Sequence, residues 1–416
     1  MLDVLWGIAG MAGLLGIAVL FSTNRRAIRP RTVLGALALQ VGFGVLVLYW
    51  SPGRRALAAA SQGVQAVIDS SREGIGFLFG PLLPDDGVVF ALQVLPVIIF
   101  FASLTAVLYH WGILQRVVAV IGGGLGRLLG TSYAESVNAA ANIFVGQTEA
   151  PLVIRPFIKR LSRSGLFAVM VGGLSTVAGS VLVGYSLLGA PLEYLIAASF
   201  MAAPGALLMA KILVPEDDAE AVAAERELVQ ASSARGGARE DDETRHRNVI
   251  DAAASGASDG LRLAATIGAM LLAFISLIAL ANLIIGGVAG WFGYGDLTFE
   301  QILGWLFAPV MAMIGVPWGE AVEAGSFVGQ KVVVNEFVAF SAFGPEIGSF
   351  SDKTAAIISF ALTGFANLGS LGILLGGLGG LAPERRPEIA SLGIRAILAA
   401  TLANLMSAAI AGVLIG

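Results

Sequence analysis

The sequence predicts an all-α polytopic membrane protein. It should have eight transmembrane helices, two re-entrant hairpins, an inverted repeat and helices broken at the membrane midplane. Three observations carry this. Of 416 residues, 56% are apolar and only 13% charged, against roughly a quarter charged in soluble domains. Eight apolar stretches are long enough to cross a bilayer, which takes ~20 residues. Two further apolar stretches carry carboxylates in their middles, and the sequence around them repeats itself.

The eight spans are read at 4–21, 32–50, 88–110, 168–188, 192–214, 263–285, 355–381 and 394–415. The interrupted stretches, 136–157 and 321–343, read as hairpins. Arg25, Arg26, Arg29 and Arg31 crowd the first loop, and the positive-inside rule makes that loop cytoplasmic. Both termini then lie on the outer side. With both hairpins re-entrant, Lys159, Arg160 and Arg163 fall inside, as do Arg385 and Arg386. Residues 52–79 are amphipathic and read as a surface helix, on the outer side despite Arg54, Arg55 and Arg72. Residues 216–247 hold ten acidic and five basic residues and read as a solvated cytoplasmic linker. The resulting organisation is scaffold spans and surface helix at 1–111, a first repeat at 112–214, the acidic loop with an interfacial helix at 215–262, a scaffold span at 263–298, and a second repeat at 299–416.

Composition also excludes. The chain has no cysteine, so disulfides and thiolate chemistry are absent. His110 and His246 have no partners at ligand spacing. The net charge of −4 and the lack of a basic run leave no basis for nucleic-acid binding. Gly122, Gly123, Gly124 and Gly126 superficially suggest a phosphate loop, but no lysine follows; close packing of an interfacial helix is expected there.

The repeat holds the candidate site. GTSYAESVNAAANIFVGQTEAP begins at Gly130 and GVPWGEAVEAGSFVGQKVVVNEF at Gly315. Each reads Gly, four residues, Glu, then Phe-Val-Gly-Gln, then a carboxylate, Glu149 or Glu336. Each is followed by a glycine-rich span with polar residues inside it. The two units start on opposite sides of the membrane. Transporters with inverted repeats bind substrate and ion at the midplane, where broken helices meet. A carboxylate at a membrane centre costs about 2.5–3.5 kcal/mol even on the lenient scale, so Glu149 and Glu336 should face a polar cavity. Asn142, Gln147 and Thr148 lie beside Glu149, and Pro151 suits the first turn of the second hairpin arm. Thr176 and Ser180 interrupt the fourth span; Phe365, Asn367 and Ser370 interrupt the seventh. Glu135 and Glu320 are expected to satisfy helix N-termini. A salt bridge from Glu336 to Lys331 is the structural alternative for the second tip. An enzyme using Glu149 and Glu336 as an acid/base pair lacks any accompanying nucleophile or metal set.

FVGQTEAPLVIRPF, LSTVAGSV, NEFVAF and GFANLGSLGILLGGLGGLAPERR closely resemble the concentrative nucleoside transporter family, as does LQVLPVIIFFASL. The resemblance implies a homotrimer in the bacterial inner membrane that imports nucleosides by alternating access, with sodium as coupling ion and no organic cofactor. It places Gln147, Thr148 and Glu149 at the nucleobase, with Phe365 and Val181 against it, and Glu336, Asn367 and Ser370 at the ribose hydroxyls. It places sodium between the side chains of Asn142 and Thr176 and the carbonyls of Val145 and Val177. Uridine, cytidine and adenosine are the expected substrates. Proton coupling through a carboxylate is the alternative.

Overall fold

The computed structural model describes residues 2–84, 89–218, 220–225, 227 and 246–416. Every regular element among them is helical. The order is α1 (Leu2–Leu20), α2 (Pro30–Gly44), α3 (Ser51–Phe79), α4 (Leu95–His110), α5 (Ile113–Leu129), α6 (Tyr133–Ala141), α7 (Ala150–Val153), α8 (Arg155–Ile158), α9 (Arg163–Ser175), α10 (Gly179–Leu187) and α11 (Leu192–Leu213). It continues with α12 (Val249–Gly290), α13 (Phe299–Met313), α14 (Trp318–Val333), α15 (Glu336–Glu346), α16 (Asp352–Leu362), α17 (Leu368–Leu381) and α18 (Arg386–Ile415).

Six of the described helices are long and apolar enough to cross a bilayer by themselves, counting α9 and α10 as one. The first expected span, α1, is a shorter apolar helix, and the seventh is split between α16 and α17. The third begins as a π turn at Phe90; Val88 lies outside the described residues. Between α13 and α14 the chain bends by 118°, as an interfacial helix entering a hairpin must.

Each repeat uses the same order of parts: an amphipathic helix (α5 or α13), a hairpin (α6–α8 or α14–α15), a broken span (α9/α10 or α16/α17) and a full span (α11 or α18). The two full spans pack on each other, and α9 and α16 both pack on α18, so the breaks meet in one layer. Helices α4 and α12 run along each other outside this core, with α10 against α4 and α15 against α12. Of the α5 glycines, Gly122 and Gly126 pack closely on α6, whereas Gly123 and Gly124 face open space. A Cβ on Gly122 would sit 2.8 Å from the Val137 backbone, so only glycine lets α5 lie so close to α6.

Three expectations are corrected. The second arm of hairpin 1 is two single turns, α7 and α8, because Pro156 cannot donate to a helical ladder. Helix α12 runs unbroken through residues 262 and 263, where the sequence suggested an interfacial helix ending and a span beginning; at 42 residues it is about 63 Å long. The acidic loop does not begin as a solvated linker. Glu216 accepts from Ser162 Oγ at 2.6 Å and lies 3.7 Å from the buried Lys211 ammonium. Glu225 is buried and accepts the Ala134 N–H at 3.1 Å, capping α6. Desolvation, and then the nearby Glu135, push the Glu225 carboxyl above its ordinary range. The rest of the loop, 228–245, lies outside the described residues.

Candidate functional site

The site is built from helix ends. In hairpin 1, α6 stops at Ala141 and the chain runs on to Ala150 through isolated turns, the last of the α6-type bonds being Val145 N–H to Ala141 O at 3.0 Å. The sequence explains the stop. Pro151 would clash with the carbonyl of Gln147 in a continuous helix. Glu149 Oε2 accepts the Gly146 N–H at 3.0 Å, a local bond that competes with the helix. The broken span answers it: α9 ends at Ser175 and α10 begins at Gly179, whose N–H donates to Phe144 O at 3.1 Å.

The two breaks touch at this bond, and two oxygens on each of them lack a donor. Asn142 commits its Nδ2 to Asn138 O at 2.9 Å, which leaves Oδ1 buried with no partner. Thr176 Oγ1 donates to Gly172 O at 2.9 Å and keeps its acceptor capacity. No donor among the described residues reaches the Val145 or Val177 carbonyl. A buried acceptor without a partner is rare and expensive. A cluster of acceptors with no donor fits a hard cation, for which oxygen-only ligation is suited.

Nearby, Gln147 is buried against Gly173, where a Cβ would come within 2.9 Å. Its Oε1 has no partner. Thr148 packs against Gly377 of α17, joining the first tip to the second broken span. Thr148 and Glu149 are exposed, toward open space rather than core.

The second half mirrors this arrangement. Asn335 caps α15 by accepting the Val338 N–H at 2.9 Å. Asn367 caps α17 by accepting the Ser370 N–H at 2.8 Å, while its Nδ2 donates to Glu336 Oε2 at 2.8 Å. Glu336, Asn367 and Ser370 are therefore buried together, and Phe365 is half-buried. The Phe365 N–H donates to Thr176 O at 3.3 Å, which ties one break to the other. Val181 is buried on the first turn of α10.

The polar groups expected at the nucleoside thus precede α7 or lie at the N-terminal ends of α15 and α17, with Val181 on the first turn of α10, and such ends favour negative or acceptor groups. The C-terminal ends of α6 and α9 carry the oxygens expected at the cation. Glu135 caps α6 in a capping box with Ser132 and pairs with Lys211. Glu320 serves a different N-terminus from its own: it accepts from the Ser351 N–H and Oγ at the start of α16.

Two polar residues here were missed by the sequence reading, Tyr185 and Asn404, and a third, Lys331, was read only as a salt-bridge partner of Glu336. Tyr185 stacks on Phe340 with centroids 4.4 Å apart, and its buried hydroxyl lies beside the Glu336 carboxylate. Asn404, on α18, donates from Nδ2 to Ser175 O at 2.7 Å and Thr363 O at 2.8 Å. Lys331 donates to Asn404 Oδ1 and Ala361 O, so its ammonium is committed to those oxygens and not to a salt bridge with Glu336. A polar residue inside an apolar span is a functional candidate by default, a signal that Asn404 carried.

The chain matches "Na+ dependent nucleoside transporter N-terminus" over 9–82, "Nucleoside recognition" over 91–192 and "Na+ dependent nucleoside transporter C-terminus" over 194–412. It is 47% identical to the nucleoside permease NupC of Helicobacter pylori, covering 99% of this chain and 98% of that one. It is 56% identical to the uncharacterized transporter YutK of Bacillus subtilis over the full length of both. Among solved structures it is similar to CNTnw in an inward-facing substrate-bound state, at 55% identity and a TM-score of 0.91, covering 99% of this chain and 98% of that one. It is equally similar to CNTnw in an intermediate state, at 55% identity and a TM-score of 0.93 with the same coverage. Matches along nearly the whole chain, on a fold already seen in several states of alternating access, make this protein a member of the concentrative nucleoside transporter family.

Proposed function

We propose that the chain is a sodium-coupled symporter importing both purine and pyrimidine nucleosides, with uridine, cytidine and adenosine as substrates. The observation that carries the sodium reading is the cluster of donor-free oxygens from Asn142, Val145, Thr176 and Val177. The ion and the nucleoside share one hairpin: Asn142 and Val145 stand on one side of Gly146, and Gln147, Thr148 and Glu149 on the other. Ion occupancy then fixes the tip that meets the base, and this is how binding of one favours the other. On the substrate side, the orphaned Gln147 Oε1 suits a base donor, and the amide can also turn to present its NH2. Glu336 suits the vicinal diol of ribose, since charge-assisted hydrogen bonds are about twice as strong as neutral ones. Among the described residues no guanidinium cluster faces the site, which favours a nucleoside over a nucleotide.

The functional unit in this reading is a homotrimer in the bacterial inner membrane, with both termini outside. The long α4–α12 pair forms part of its scaffold, and the two repeats form its mobile domain. Proton coupling through Glu149 or Glu336 is the rival. Uptake of labelled uridine into proteoliposomes decides between them: an imposed sodium gradient should drive accumulation at constant pH. Accumulation driven by a pH gradient without sodium would overturn the ion assignment and leave the transporter assignment standing.

A further inference from the structure

The two repeats share a tetrapeptide but not its conformation. Phe144-Val145-Gly146-Gln147 lies beyond the end of α6, whereas Phe327-Val328-Gly329-Gln330 stays within α14, which continues to Val333. The second tip therefore has no free backbone carbonyl where the first has that of Val145. The next residue also differs. Thr148 follows the first copy and Lys331 the second.

Lys331 is fully buried. Its Nζ donates to Ala361 O at 2.7 Å, in the last turn of α16, and to Asn404 Oδ1 at 2.8 Å. The orientation of that amide is fixed, because its Nδ2 donates to the carbonyls of Ser175 and Thr363. Thr176 and Thr363 mark equivalent points of the two broken spans. Each hydroxyl donates to the carbonyl four residues back, Gly172 and Ser359, at 2.9 and 2.7 Å. At the carbonyl end of α9 there is thus a cluster of oxygens without donors. At the matching end of α16 there is an amine.

We propose that Lys331 is a tethered cation, holding in the second repeat the position that a mobile sodium ion takes in the first. This rests on the sodium reading above. A helix C-terminus carries about half a negative charge, and each broken span brings one into the substrate layer. The first is neutralised only when the ion is bound, which makes it a switch. At the second the ammonium is held by the chain itself, which keeps Phe365 and Asn367 in place without a second ion. Asn404 bonds to both ends and carries a shift at one to the other. Lys331 and Asn404 are positioning residues and do not touch the nucleoside.

The test uses full-length protein in proteoliposomes with labelled uridine. The wild type should move about one net charge per uridine, read from its reversal potential; two per uridine would mean a second mobile cation and overturn the proposal. Lys331→Met keeps the length and removes the charge. Uridine uptake should fall about tenfold or more, as on losing a charged hydrogen-bond donor, while direct 22Na+ binding persists. Wild-type uptake by that variant would overturn the proposal. Lys331→Ala should be rescued by propylammonium and not by propanol, and a folded variant that propylammonium fails to rescue would also overturn it. If neither variant folds, the wild-type charge count decides alone. Sodium-independent wild-type uptake together with propylammonium rescue would sink the sodium reading while keeping the fixed cation.

Discussion

Hairpin 1 and hairpin 2 start from the same four residues and reach opposite solutions. In hairpin 1 the Phe-Val-Gly-Gln segment is unwound, and its surroundings leave oxygens without donors. In hairpin 2 the same segment is helical, and a lysine closes the polar account at the tip. The first half is therefore incomplete without a ligand, and the second is complete as folded. An inverted repeat here does not mean two equivalent sites. In the reading proposed above, one scaffold serves once as a switch and once as a fixed frame.

The largest effect should come from the residue that joins the halves. Asn404→Leu leaves the carbonyls of Ser175 and Thr363 and the Lys331 amine short of partners at once. Each buried group left unpaired costs about 1–3 kcal/mol. We expect loss of most folded protein, or a strongly lowered melting temperature by fluorescence-detected size exclusion. Thr401→Val, on the same helix, is the matched control: the Thr401 hydroxyl is already buried without a partner, so removing it should be neutral or stabilising. Equal melting of the two variants would show that Asn404 does not join the repeats.

Next is the switch itself. Asn142→Ala removes one side-chain oxygen and leaves the stem of hairpin 1 intact. Sodium should then no longer strengthen uridine binding, and uridine should no longer strengthen sodium binding, because coupling is reciprocal. Isothermal titration of each ligand with and without the other measures this. An unchanged coupling factor would place the ion elsewhere.

Why the asymmetry was not legible in the sequence follows from these residues. The hairpins, the breaks and the polar groups within them could be read, because membrane burial makes each polar residue in an apolar run informative. Asn142, Glu336, Asn367 and Ser370 lie at helix ends, and Gln147 lies in the tip between α6 and α7. The conformation of the shared tetrapeptide could not be read from the tetrapeptide, since it depends on Glu149 and Pro151 in one copy and on Lys331 in the other. The partners of Lys331 come from α16 and α18, up to 73 residues away, and no local pattern announces them. The same holds for Glu225, whose partner is the N-terminus of α6, 91 residues earlier.

The fixed half predicts a smaller and more selective loss. Glu336→Gln preserves shape and removes the charge that would strengthen two bonds to the ribose diol. A loss of about 1.5–3 kcal/mol is expected for uridine, the range for bonds to charged groups. The 2′,3′-dideoxy analogue should bind poorly to the wild type and lose little more in the variant. Competition against labelled uridine gives both numbers. Equal losses for the two ligands would make Glu336 a structural partner of Asn367 and remove it from the ribose.

The smallest effect concerns selectivity, and it returns to the first hairpin. A Cβ on Gly146 would meet Ala178 at 3.6 Å and the Glu149 carboxylate at 3.8 Å, ordinary contact distances, and no left-handed backbone is needed there. Gly146→Ser should therefore fold, in contrast to Gly364→Ala, where φ is +150° and a Cβ would come within 2.4 Å of Asn404. With glycine at 146 and a reorientable amide at 147, the base pocket should accept both ring sizes, so adenosine should inhibit uridine uptake at one site. Serine would add bulk beside the base, where a methylene-sized change is worth about 1–3 kcal/mol. The penalty should fall more on adenosine than on uridine, since the purine is the larger base. Inhibition constants for both nucleosides against wild type and Gly146→Ser measure it. A uniform loss would mean that the serine perturbs the neighbouring Val145 carbonyl and hence the ion. In that case the uridine loss should shrink at saturating sodium, whereas a purely steric loss should not.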